Sequence, residues 1–351
     1  MSPATKPHLF FLATKKIAAV PVTAIPICEI IFNIFPPILS LSVLIKQMKH
    51  LTNSDIIYKI LQCIPQGKVL TYQSLAGLFG IKNPRVVGNI LHRNNDPESF
   101  PCHRVVNVKG ELAPNYAFGG SSSQKEKLIK EKVIFVNEKV DLHNALWLPS
   151  EAFKMYLQLL IKYGEPGPWP WFDQDSPHSS DEIVIGALLT QNTNWRNVSY
   201  AIKNLRDKKI CSLRDIYKLK NNIDILKSLI RPSGFYNQKA ERLILLCDLI
   251  FEKHKGLDIF IKLDSNYLRE ELLNLKGIGK ETADTIVLYA AGKPIFVTDA
   301  YTKKFVQKYF KITKNDYDSV QNYFMKNLPK NVQLYQDYHA LIVQWAKDKA
   351  N

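Results

Sequence analysis

Leu275-Lys276-Gly277-Ile278-Gly279-Lys280-Glu281-Thr282-Ala283 is the stretch on which the fold of the longer half of this chain turns. Two glycines separated by one residue make a tight turn and let backbone amides approach a ligand closely. A helix that begins just after them offers its first amides to a phosphate. Alone, Gly-x-Gly fits an ordinary connection between two helices equally well. The flanks narrow the reading. Asp299 follows Glu281 by eighteen positions, in Phe296-Val297-Thr298-Asp299-Ala300-Tyr301. Upstream stand Leu188-Leu189-Thr190-Gln191-Asn192-Thr193 and Gly234-Phe235-Tyr236-Asn237-Gln238-Lys239-Ala240. A lone Asp at a loop end is usually a helix cap, so its reading as a functional carboxylate depends on its spacing to the hairpin.

Together these segments resemble the helix–hairpin–helix glycosylase superfamily of endonuclease III, over roughly residues 150 to 348. The resemblance implies an all-α domain in which Asp299 is the catalytic carboxylate, stabilising an oxocarbenium-like sugar as the base departs. It further implies that Gly277, Gly279 and Lys280 lie on the DNA backbone and that Gln191 wedges into the gap left by a flipped nucleotide. Two departures narrow the activity. Bifunctional members carry a lysine nucleophile where this chain has Glu281, and Lys280, one residue earlier, points about 100° away on a helix. A monofunctional glycosylase without a lyase step is expected. No cysteine follows Cys247, so no iron–sulfur cluster is expected. Both departures point to the 3-methyladenine DNA glycosylase branch. Pro168-Trp169-Pro170-Trp171-Phe172 fits that branch, because alkylated purines are cationic and aromatic faces favour a cation. Trp169 and Trp171 are therefore candidates for base binding, with core packing as the alternative.

Working towards the N-terminus, Asn53 reads as a helix cap, followed by Ile56-Ile57, Ile60-Leu61 and Ile64 at helical spacing. Further helices are expected over Gln73–Phe79, Pro84–His92 and Gln124–Glu131, with a short β-like run at Val133–Val136. The second and third helices with their glycine turn suggest a helix-turn-helix. Pro101-Cys102-His103-Arg104-Val105 carries the chemistry. A thiolate is a strong nucleophile that needs a base or cation to form near neutral pH. His103 is adjacent, and Glu131 can orient its imidazole by the logic of a triad. A lone cysteine also serves as a small core residue.

Pro-Cys-His-Arg-Val-Val, with Arg85-Val86-Val87-Gly88 and Asn94 before it and Asn115-Tyr116-Ala117-Phe118-Gly119-Gly120 after it, resembles the O6-alkylguanine-DNA alkyltransferase family over about residues 53 to 136. By this resemblance Cys102 accepts the alkyl group once, without regeneration. His103 acts as its base through a water, and Glu131 orients the imidazole. Asn94 is the hinge that holds the site together. Arg85 fills the space left by a flipped guanine, Tyr72 crowds the phosphate, and Tyr116 belongs to the loop closing on the base. The extrusion is required because an alkyl group inside the stack is out of a thiolate's reach. The N-terminal domain that many members carry has no counterpart here.

The expected architecture is mainly α: a winged helix-turn-helix-like alkyltransferase domain over 48–137, with a short β element, then an all-α helix–hairpin–helix domain over 138–351. The 351 residues suffice for two domains. Lysine and arginine number 47 against 32 acids, a net charge of +15 that favours a polyanionic partner, here double-stranded DNA carrying damaged bases. The five cysteines form no C-x-x-C pair, so neither a metal nor another cofactor is expected, and their scatter indicates a reducing compartment. A cytoplasmic, nucleoid-associated monomer follows. Residues 1–47 are apolar but broken by Pro21, Pro26, Pro36 and Pro37, which oppose a spanning helix. They read as an extension ahead of a start at Met48, with a membrane tether as the alternative. Two other functions stay open: a bifunctional glycosylase/lyase for oxidised pyrimidines, and a non-catalytic lesion-binding protein.

Overall fold

A computed structural model describes residues 51–166, 179–210 and 212–349. The apolar extension, Trp169 and Trp171 lie outside these residues. The chain is mainly helical, as its periodicity implies. No helix among the described residues is long and apolar enough to cross a membrane.

The first lobe opens with α1 (Asn53–Cys63). Its cap is Thr52, one residue before the Asn53 expected from sequence: Thr52 and Asp55 satisfy each other's backbone amides reciprocally, whereas a cap at Asn53 would have Ile56 at the returning position. β1 (Leu70–Thr71) leads into α2 (Tyr72–Gly77), whose cap, Thr71, makes the same exchange with Ser74. This starts α2 one residue earlier than its apolar spacing indicates. α3 (Pro84–His92) begins as read, with Asn83 capping the Arg85 amide and Pro84 in the first turn. A short 3-10 turn, Cys102–Arg104, precedes β2 (Val105–Val106), which pairs parallel with β1. α4 spans Gly120–Lys130, four residues longer at its start than expected. Gly119 and Gly120 both adopt positive φ and turn the chain into the helix, so the serines after them fall inside its first turn.

β3 (Phe135–Val136) and β4 (Lys139–Val140) form an antiparallel hairpin. Its two turn residues, Asn137 and Glu138, are both left-handed, at φ 48° and 63°. The polar stretch read as the junction between domains is therefore a hairpin turn. The chain beyond it, including α5 (Leu142–Ala145), stays with the first lobe. Val140 and Ala145 join Val69, Val106, Leu128 and Val133 in one small core. Val69 also bonds through its backbone to Ala145 and Trp147.

The second lobe comprises α6 (Glu151–Tyr163), α7 (Ser180–Leu189), α8 (Trp195–Asp207), α9 (Leu213–Lys218), α10 (Ile223–Leu229), α11 (Tyr236–Asp248), α12 (Leu257–Phe260), α13 (Ser265–Leu273), α14 (Lys280–Thr285), α15 (Ala300–Tyr309), α16 (Tyr317–Asn327) and α17 (Val332–Asp348). α17 is buried over most of its length, Asp337 and His339 included, and packs against α6 and α15. Phe296 stacks on Phe324 at 4.1 Å between ring centroids, and Tyr338 meets both rings edge-on.

The two lobes share one hydrophobic core, in which α1 and α17 both take part. At this contact a charge is buried. Asp337, 2% exposed, receives Lys59 Nζ at 3.1 Å, Gln333 Nε2 at 2.7 Å and the Tyr156 hydroxyl at 3.4 Å. Asn331 Nδ2 donates to the Gln62 carbonyl at 3.1 Å beside it. Burial pushes the Asp337 carboxyl up, and Lys59 offsets only part of this. Burial works against the Lys59 charge as well, but Asp337 and Glu165 together keep it cationic. Lys59→Met strands a carboxylate and should cost about 3 kcal/mol of unfolding free energy. Lys59→Met with Asp337→Leu should recover most of that loss in the same denaturant titration, because the charge and its partner leave together.

Candidate active sites

In the first lobe the 3-10 turn presents Cys102, almost fully buried, to Asn94, whose Nδ2 approaches Sγ at 3.2 Å. The same Nδ2 donates to the Phe100 carbonyl at 2.8 Å, and Asn94 Oδ1 accepts the Asp96 amide, so the residue ties α3's exit to the turn. His103 Nε2 meets Glu131 Oε1 at 2.7 Å. Its Nδ1 is buried with no hydrogen-bond partner among the described residues. Three further donors converge on Glu131: Arg104 Nε at 2.9 Å, Arg104 Nη2 at 2.7 Å and the Gly67 amide at 3.1 Å. Burial opposes the Glu131 charge, but the bonds from His103, Arg104 and Gly67 outweigh it and hold the carboxyl at about 2.

Gln124, missed by the sequence reading, clamps this turn from α4. It donates to the His103 and Val105 carbonyls at 3.1 and 2.9 Å and accepts the Ala113 amide at 2.8 Å. Three tyrosines surround Cys102. Burial first, and then negative charge at the Cys102 sulfur, push up Tyr58, Tyr72 and Tyr116. The Tyr116 hydroxyl is buried beside Cys102, and the Tyr72 ring lies against Gly88 of α3. Cys102, His103, Glu131, Asn94, Tyr72 and Tyr116 are thus brought together. Arg85 stands apart, exposed in the first turn of α3.

In the second lobe the hairpin joins α13 to α14. Gly277 has φ +88°, and an added Cβ would run into the Arg242 guanidinium; Gly279 caps α14. Gln191 does not project freely. Its Nε2 donates to the Gly277 carbonyl and to Thr282 Oγ1, both at 3.0 Å, and its Oε1 accepts Arg242 Nη1 at 2.7 Å. The exposed tip of that loop is Asn192, in the left-handed region at φ 52°. Lys280 pairs on the surface with Asp318 at 2.6 Å, an arrangement worth little. Across the hairpin Arg269 grips Asp284, which also accepts from Tyr317 and Gln321. Gln321 in turn holds the Phe296 carbonyl at 2.7 Å, so the hairpin is braced to the segment leading to Asp299.

Asp299 caps α15: its Oδ1 accepts the Thr302 amide at 2.7 Å. Its Oδ2 lies 3.4 Å from His339 Nε2, a contact from α17 that the sequence reading missed. Burial would raise the Asp299 carboxyl, but His339 and the Thr302 amide reverse this and leave it lowered. Glu281 is water-accessible yet crowded by surrounding protein; that crowding first, and then the Asp299 charge, raise its carboxyl. The two carboxyls are pushed apart.

Two other residues lie in the Gly234–Ala240 segment but were given no role from the sequence. Lys239 is fully buried, with Nζ donating to the Leu189 and Ser233 carbonyls at 2.8 and 2.7 Å, and burial followed by Arg242 pushes it down to about 8. It fastens α7's end to the turn before Phe235. Phe235 is 62% exposed with φ 47°. A lysine on the apolar face of Lys239-Ala240-Leu243 and a large apolar residue directly after Gly234 were the available signals.

Comparison with known proteins gives two family matches. Residues 53–133 match the 6-O-methylguanine DNA methyltransferase DNA-binding domain, and residues 185–330 match the HhH-GPD superfamily of base excision DNA repair proteins. A Methanocaldococcus jannaschii protein named as a DNA repair glycosylase is 43% identical over 198 residues, 56% of this chain and 86% of that one. A Picrophilus torridus protein named bifunctional methyltransferase/endonuclease is 36% identical over 87 residues, 24% of this chain and 28% of that one. The crystal structure of a 3-methyladenine DNA glycosylase of H. pylori, bound to 1,N6-ethenoadenine, aligns with TM-score 0.48 and 33% identity over 57% of this chain and 99% of that one.

The Glu131 carboxylate yields a pH test. Its carboxyl falls from an ordinary 4.5 to about 2 on folding, so its stabilisation is complete above 4.5 and fades as pH drops towards 2. That loss should approach about 3 kcal/mol. In Glu131→Gln, acid unfolding followed by circular dichroism should lack this part of the slope.

Proposed function

This chain belongs to the HhH-GPD superfamily of base excision DNA repair proteins and carries a 6-O-methylguanine DNA methyltransferase DNA-binding domain ahead of it; from that premise we propose that it repairs alkylated DNA by two chemistries at two sites. The observation that carries the reading is that each lobe holds its own constellation. One has Cys102 against Asn94 with the His103–Glu131 pair; the other has Asp299 beside the glycine hairpin. We take residues 51–148 as the first domain and 149–349 as the second, since the hairpin and α5 complete the first core.

In the first site His103, held by Glu131, which Arg104 braces, draws the thiol proton through a water bridging from Nδ1. The Cys102 thiolate attacks the alkyl carbon of an extruded O6-alkylguanine, the C–O6 bond breaks, and the guanine oxygen takes back a proton. The cysteine is consumed. Gly67, Asn94 and Gln124 hold the turn still while this happens. Arg85, exposed at the head of α3, enters the duplex, and Tyr72 and Tyr116 flank the extruded base.

In the second site Asp299 is anionic when the C1′–N bond breaks, and its charge stabilises the sugar cation until water adds. A cationic alkylated purine leaves as a neutral base, so the leaving group needs little protonation. Glu281 stands where a lyase would need an amine, which supports hydrolysis alone. The hairpin glycines and the +15 charge serve DNA binding. Gln191 works as a brace for the hairpin, and exposed Asn192 takes the wedge role first given to it.

DNA duplexes radiolabelled with methyl groups on both oxygen and ring nitrogen test both halves. The expected result is label on protein, lost in Cys102→Ala, together with free methylated base, lost in Asp299→Asn, and no strand nicking. Label on protein without free base would move the second site to another lesion. Nicking trapped by borohydride would restore the lyase alternative, and no transfer to either place would leave a lesion-binding protein.

A further inference from the structure

Asp299 is held at both oxygens. The α15 amide of Thr302 takes Oδ1, and His339 of α17 takes Oδ2. The imidazole is itself fixed: Nδ1 lies 2.9 Å from the Tyr289 hydroxyl, which reaches the Gln336 carbonyl at 3.3 Å. Tyr289 comes from a π-helical turn, Ile286–Ala290, that continues α14 directly out of the hairpin. Such turns shift the register of a helix face and are frequent at functional sites. His339 and Tyr289 are both buried. A buried imidazole pointed at a carboxylate is more than packing when its other nitrogen is also engaged, because the ring cannot then rotate away.

We propose that His339 is a positioning residue of the glycosylase site: with Tyr289 it forms a dyad that fixes the free oxygen of Asp299, so that the carboxylate meets the departing base in one geometry. This rests on Asp299 being the glycosylase carboxylate. The chain of contacts is fully satisfied when the ring carries both protons. Nδ1–H then donates to the Tyr289 oxygen, the tyrosine donates to the Gln336 carbonyl, and Nε2–H faces Asp299. At 3.4 Å the last contact is long for a hydrogen bond, as catalytic pairs often are before substrate binds. The charged groups around the pair come from two elements, with a third turned aside. α15 supplies Asp299 and Lys303, α14 supplies Glu281, and on α17 Asp337 faces away towards Lys59. His339 also lowers the Asp299 carboxyl, which keeps it anionic further into acid.

Single-turnover release of base from N-methylated duplex DNA by the full chain tests this. His339→Ala should slow release about tenfold, the equivalent of one pKa unit of lost interaction, and move the acid limb of the rate upward in pH. His339→Gln, which keeps a donor and its bulk, should restore part of the rate but not the acid limb. Tyr289→Phe should fall between wild type and His339→Ala. Methyl transfer to Cys102 in the same preparations should be unchanged, showing that the chain is folded. An unshifted acid limb in both His339 variants, whatever the rate, overturns the proposal. NMR titration of the Asp299 carboxyl separates it from the wider reading. Its resonance, identified by its loss in Asp299→Asn, should titrate higher in His339→Gln than in wild type. If that coupling is present but wild type releases no base, the glycosylase reading fails while the pair stands; if it is absent, the dyad fails.

Discussion

The buried carboxylate of Asp337 is the constraint from which much of this arrangement follows. A charge so deep in a protein needs a partner, and its cation comes from α1 of the other lobe. That requirement brings α1 against α17 and lets the apolar faces of both lobes close into one core. The rest of α17 is then fixed, and with it the position of every side chain it carries into the second site.

His339 is two residues further along the same helix, about 200° around it from Asp337. One side of α17 therefore holds the first lobe and the other side holds Asp299. α1 is equally two-sided. Lys59 faces α17, while the neighbouring Tyr58 bonds the Ile90 carbonyl of α3 and stands near Cys102. The two sites also use the same pair of groups in opposite senses. In the first, a carboxylate with three donors fixes an imidazole whose remaining nitrogen is available for chemistry. In the second, an imidazole with a tyrosine behind it fixes a carboxylate. In the reactions proposed for the two sites, the difference lies in which member acts on the substrate.

The local half of this was legible in the sequence. The apolar spacing of α1, the proline start of α3 and the two-glycine hairpin each report on residues a few positions apart, and local rules read them well. Caps were read one residue off at Thr52 and Thr71 because reciprocal Thr/Asp and Thr/Ser pairs outcompete a simple Asn or an apolar start. The boundary placed at 137 and 138 fell on a polar pair after a β-like run, and the hairpin that pair turns depends on β3 finding β4. The pairing of His103 with Glu131, 28 positions apart, was readable from the chemistry a thiolate needs and from the family resemblance, not from local spacing. Lys59 with Asp337, 278 positions apart, left no local trace. His339 sits among tyrosines on an apolar helix, where a histidine carries no signal of its partner.

The shared helix also bears on how such a chain can change over generations. A recombination event that cut the gene between the lobes would hand one descendant a carboxylate in an apolar wall and the other a lysine with an uncovered face. Positions 59 and 337 are thus physically linked: a change at either alters what the other must bear. One ion pair thus ties the integrity of each lobe to a residue that the other supplies.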